Sequence, residues 1–188
     1  MAEPSFDPSH SVQFDLARGR VALDATDARL LVPPLALLDL CQSAGQDAIR
    51  AFGRQIGVEV GRRVAQRLGS GLDRLGVASF IEHLGGDLAL IGLGSLAAER
   101  WGRALILMMS DSPLGQEGDA LLAAVLEGAI ERALVRQANV LALQREAGQT
   151  RFLVVSVEAA AKVRGWLAGG QSWGEVLARL NGSGRGEA

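Results

Sequence analysis

Between Leu35 and Leu68 small residues return at every fourth position, Gly53, Gly57, Gly61 and Ala65, in a stretch whose apolar residues keep helical spacing. Glycine inside a helix costs about 1 kcal/mol of propensity relative to alanine. A helix carrying three of them in one line is therefore expected to hold a second backbone against that line, since only residues without bulky side chains allow such an approach. Two partners satisfy the pattern: another segment of the same chain, or a second copy across a dimer seam. A membrane span is excluded, because Arg50, Arg54, Glu59, Arg62 and Arg63 interrupt any window of about 20 apolar residues.

The rest of the chain is read around this helix. Val12, Phe14 and Leu16, then Val21 and Leu23, alternate with polar residues about a turn at Ala17-Arg18-Gly19, the period of a half-buried hairpin. Pro33 and Pro34 then suit a helix start, and helical spacing runs from Leu35 to Leu68, in one piece or two. A further helix is predicted over Val77 to Leu90, ended by Gly92 and Gly94. Ser95 to Glu99 and Ala104 to Met109 read as an antiparallel pair, the second strand unbrokenly apolar and so buried on both faces. Asp119 opens a helix expected to end near Asn139, and Val140 to Arg145 with Arg151 to Val157 forms a last hairpin. Glu158 to Leu167 and a segment capped by Ser172 and Glu175 read as two closing helices. The expected organisation is one α+β domain over residues 12–182, with its core at 12–157 and a helical extension at 158–182. A flexible start, 1–11, and a disordered tail, 183–188, flank it.

Composition excludes several functions. With 19 basic and 21 acidic residues the chain has a net charge of -2 and no global field for polyanions, so nucleic acid is not an expected partner. One cysteine, Cys41, rules out an intrachain disulfide, and with only His10 and His83 besides, the usual zinc spacings are absent; no metal and no cofactor are expected. Residues 1–11 lack a charged start followed by an apolar run, so the chain is expected in the cytoplasm.

Constellations for catalysis are few. Gly92-Leu93-Gly94-Ser95-Leu96-Ala97 has the spacing of a dinucleotide fingerprint, but the room to Arg103 is about half of what a βαβ crossover needs. An antiparallel hairpin there would exclude the nucleotide reading. Cys41 lies on an apolar helical face as a small hydrophobe, His83 is expected as a surface or capping group, and Asp111, Ser112, Glu117 and Asp119 as turn and cap residues. No catalytic residue is expected.

Three stretches nevertheless carry a resemblance. Phe52-Gly53-Arg54-Gln55-Ile56-Gly57-Val58-Glu59-Val60, Trp101-Gly102-Arg103-Ala104-Leu105-Ile106-Leu107 running into Ser110-Asp111-Ser112-Pro113-Leu114, and Val125 to Leu134 resemble the four-vinyl-reductase ligand-binding domain and its relatives, the Bet-type subunits of the TRAPP tethering complex. The resemblance spans residues 12–157. It implies an antiparallel sheet packed with long helices, a homodimer, and either a buried apolar pocket or a protein-docking surface. The metal-holding cysteines of some members have no counterpart in Val140 to Val155, and the acylated cysteine of some tethering subunits has none in Gly69 to Asp73.

The expected function is therefore a non-catalytic, homodimeric domain for a small hydrophobic ligand. Its pocket candidates are Phe52, Ile56, Phe80, Leu84, Met108, Met109, Leu126 and Ile130. The alternative is a docking scaffold without a ligand, for which Trp166 and Trp173 are the candidate anchors of a protein partner.

Overall fold

The computed structural model describes residues 6–9, 11–24, 27–69, 76–102 and 104–182. The expected tail over 183–188 lies outside them, as do residues 1–5 and 10 of the expected flexible start and most of the loop after the glycine-spaced helix.

The chain opens with β1 (Val12–Asp15) and β2 (Arg20–Leu23), paired antiparallel with Phe14 opposite Val21. A third strand, β3 (Asp27–Arg29), adds to β2 and was not expected from the sequence, since three residues with charged ends show no apolar period. Helices α1 (Pro34–Ala44) and α2 (Gln46–Leu68) follow as two pieces. Their break is at Gly45, whose φ of 88° lies in the left-handed region that a side chain disfavours. Next come α3 (Val77–Leu90), β4 (Ser95–Trp101), β5 (Ala104–Ser110) and α4 (Asp119–Leu134). The last of these stops short of Asn139 because Val135 turns left-handed, φ 51°. Then β6 (Asn139–Glu146), β7 (Gln149–Val155), α5 (Val157–Ala168) and α6 (Trp173–Gly182) complete the described chain.

Strands β4, β5, β7 and β6, in that order, form one antiparallel sheet, and β1 to β3 a separate small one; the fold is α+β. Alternation along β5 sends Leu107 and Met109 into the core with α2, α3 and α4, together with Phe152 of β7. Ile106 and Met108 face the other way, onto a layer with Val163, Val176 and Leu177 of α5 and α6. The sheet is thus covered on both faces, as the unbroken apolar run of β5 implies. β6 carries a bulge between Ala142 and Gln144 where its register against β7 shifts.

The small-residue line of α2 meets α4 of the same chain. A Cβ on Gly53 would stand 2.8 Å from the Ala124 Cβ and the Leu121 carbonyl oxygen. One on Gly57 or Gly61 would collide with the carbonyl oxygens of Val125 or Ala129. Gly128 reciprocates against the Arg54 carbonyl, so the two helices cross backbone to backbone. Ala65, the last residue of the line, is half-buried.

The capping box of α6 forms as its spacing predicts: the Ser172 N–H donates to Glu175 Oε2 at 2.7 Å, and the Glu175 N–H to Ser172 Oγ at 3.4 Å. The bonds that the Ser172 N–H and, at 2.9 Å, the Ser172 hydroxyl donate to Oε2 hold the exposed Glu175 carboxyl below its ordinary value of 4.5. A depressed carboxylate stabilises the fold above the unfolded pKa and loses that contribution as pH falls through the folded one. Amide exchange at the start of α6 is therefore expected to quicken as pH drops below about 4.5, once corrected for intrinsic exchange rates. Glu175→Gln should show no such dependence, and an identical profile in both proteins would remove Glu175 as the cause.

Candidate functional site

A cleft of about 780 Å³ lies between the segment following β3 and α2. Its floor is one face of α2, formed by Phe52, Ile56, Glu59, Val60 and Arg63 at spacings of three and four. Residues 28–33 form one wall, and Ile91, Gly92 and Leu93 after α3 close an end. The volume lies in the range usual for small-molecule sites, and the lining is mostly apolar. Ion pairs fasten the wall to the floor: Arg29 with Glu59 at 3.4 Å and Arg62 with Asp27 at 3.2 Å. Leu30, Leu31 and Leu35 beside it are exposed.

The inner end of the cleft is charged. Arg63 is 4% exposed, and its Nε donates to Asp87 Oδ1 at 3.3 Å. Asp87, fully buried, takes a second bond at the same oxygen from Arg67 Nη1 at 2.8 Å, and Arg67 reaches on to Asp24. Two buried atoms of this cluster, Arg63 Nη2 and Asp87 Oδ2, have no hydrogen-bond partner among the described residues.

The eight pocket candidates are distributed over several places. Phe52 and Ile56 line the large cleft. Phe80 and Ile130 line a smaller one of about 290 Å³ between α3, the sheet and the end of α4. Leu84, Met109 and Leu126 are buried in the packed core, while Met108 points to the opposite face of the sheet, under α5 and α6. Alternation within the strand separates the two adjacent methionines. Trp166 and Trp173 are half-buried: Trp173 packs on Trp101 with ring centroids 5.0 Å apart, and Arg179 lies over Trp166 at 5.7 Å.

Two sequence-based expectations are corrected. His83 is buried, not a surface or capping group; its Nδ1 lies 3.0 Å from the Ser79 carbonyl oxygen one turn back. Ser79, His83 and Asp87 make a buried polar line on α3 at four-residue spacing, a period that can be read in the sequence. They do not form a catalytic relay: His83 bonds a backbone carbonyl, and the bonded oxygen of Asp87 is taken by two arginines. Asp119 is no cap either; it accepts from Arg145 at 2.6 Å and from Thr150 Oγ1 at 3.1 Å, fastening the start of α4 to the last hairpin.

The fingerprint-like Gly92 to Ala97 is resolved against a nucleotide site, since β4 and β5 pair antiparallel with Ser95 opposite Ser110. Gly94 has its own structural reason, a φ of 113° and a Cβ position that would strike the backbone of Ser110 and Ser112. Cys41 is buried in α1 as a free thiol.

A second buried charge supports the α2–α4 crossing. Glu127 is 2% exposed, accepts from the Val140 N–H at 3.0 Å and pairs with Arg54 at 3.4 Å. Glu127→Gln keeps one acceptor and loses the charge, and is expected to lower stability by about 1–2 kcal/mol in urea denaturation. An unchanged midpoint would mean that the pair contributes nothing net.

A four-stranded antiparallel sheet with α2, α3 and α4 on one face and α5 and α6 on the other defines an α+β fold with a cleft at its opening segment. This fold is similar to the phenol-responsive sensory domain of the transcription activator PoxR, solved with phenol: TM-score 0.61 and 14% identity, covering 80% of this chain and 87% of that one. No family model matches the sequence, and a search of curated proteins found no match. The likeness is one of fold, and it does not single out the tethering subunits. Among the described residues no helix is long and apolar enough to cross a membrane.

Proposed function

We propose that this chain is a non-catalytic binding domain for a small hydrophobic ligand, held in the cleft over α2 with Phe52 and Ile56 on its floor. The observation that carries this reading is the cleft itself, about 780 Å³ with a mostly apolar lining and the buried Arg63 among its lining residues. The fold of a sensory domain solved with phenol supports it. The domain acts as a homodimer. The glycine line of α2 is occupied by α4, so the dimer forms through other surfaces, for which the exposed Leu30, Leu31, Leu35 and Leu40 are available.

Native mass spectrometry of the purified protein, followed by denaturation to release what is bound, tests both parts. A dimer carrying a stoichiometric small apolar molecule is the expected result. A dimer that carries nothing, and that binds no small apolar compound added at millimolar concentration, would favour the docking scaffold. That second reading has its own support in the same exposed leucines, which a protein partner would cover as well as a second copy. A monomer at micromolar concentration would overturn the dimer.

A further inference from the structure

We propose that the cleft selects small apolar carboxylic acids, bound as their anions with the carboxylate on Arg63; this rests on the ligand-binding reading above. Three charged residues line the cleft, Arg29, Glu59 and Arg63. Arg29 and Glu59 are paired with each other, and Arg63 shares the Asp87 carboxylate with Arg67, so two guanidiniums meet one carboxylate at the buried end. The carboxylate facing Arg63, Asp87, bonds only its Nε and is shared with Arg67 through the same oxygen. Nη2 of Arg63 is buried without an acceptor among the described residues, and Oδ2 of Asp87 without a donor. A buried donor left in this state is costly, and a guanidinium is best satisfied by a planar anion with two oxygens. Leu30, Val32, Phe52 and Ile56 surround the approach with apolar surface, which fits the hydrocarbon part of such an acid and offers nothing to a second polar group. A neutral phenol would use the same walls but only weakly satisfy the cation.

A competing arrangement exists, since a turn of the guanidinium to give Asp87 both Nε and Nη2 would close the donor off, and it predicts no preference for an acid. Binding of three acids, benzoate, 1-naphthoate and decanoate, is measured by calorimetry against their neutral amides at pH 7. At least one acid is expected to bind ten-fold or more tighter than its amide. Arg63→Met should erase that difference while leaving amide binding in place, and Arg63→Lys should restore part of it. The comparison of acid with amide in the unaltered protein stands even if Arg63→Met does not fold. Amides that bind as tightly as the acids would overturn the anion preference and leave the ligand-binding reading intact. No binding by any of the six compounds would overturn both.

Discussion

Asp87→Ala is expected to unfold this protein more readily than any other single change in the charged cluster, lowering stability by about 3–5 kcal/mol. Asp87 is fully buried and accepts from Arg63 and Arg67, and of these Arg63 is itself buried. Removing the carboxylate leaves a buried guanidinium without its counter-ion, which costs far more than the pair contributes relative to an apolar replacement. For a chain of this length each kcal/mol moves the melting temperature by about 2–4 °C, so a fall of roughly 10 °C is expected in thermal denaturation. Arg63→Met with Asp87→Leu, which removes both charges and keeps volume, should recover most of the loss. A single variant within 1 kcal/mol of the parent would show that water reaches Arg63 and replaces the lost partner.

Gly57→Ala should destabilise nearly as much, by about 3 kcal/mol, although alanine is the better helix former. The added Cβ would sit on the Val125 carbonyl oxygen and 2.8 Å from the Ala129 nitrogen, both main-chain atoms that no rotamer change can move aside. Helices α2 and α4 would have to separate, loosening the core to which Val60 and Val64 of the one and Val125 and Leu126 of the other belong. Gly165→Ala is the matched control: it lies inside α5 with nothing within 4 Å of the Cβ position, so the same substitution is expected to stabilise by about 0.5–1 kcal/mol. Equal effects at the two sites in chemical denaturation would mean that the crossing is looser than its geometry indicates.

What could be read from the sequence was what local chemistry decides. The hairpin of β1 and β2 follows from alternation, α3 from helical period with the bounds Val77 and Leu90, and the start of α6 from the spacing of Ser172 and Glu175. Long-range features were less accessible. β3 is held by pairing with β2 and by Arg62 and Glu59 of α2, none of which leaves a trace in Asp27-Ala28-Arg29. The burial of His83 and Asp87 depends on α3 being enclosed on nearly every side, which a one-faced amphipathic pattern does not anticipate. Of the cleft's lining, Phe52 and Ile56 were among the expected pocket residues, as apolar positions four apart on one helix. Arg63 was not, because its arginine neighbours Arg62 and Arg67 look identical in sequence and only the fold distinguishes the buried one.

The bulge in β6 has a bearing on how the molecule behaves at high concentration. β6 is an outer strand of the four-stranded sheet, and its free side presents main-chain donors and acceptors that a strand from another molecule could match. The extra residue between Ala142 and Gln144 breaks the two-residue repeat midway, so an incoming strand that is in register before the bulge is out of register after it. A continuous eight-residue template is thereby reduced to two short ones. The irregularity guards the sheet's open margin against runaway stacking of one molecule on the next.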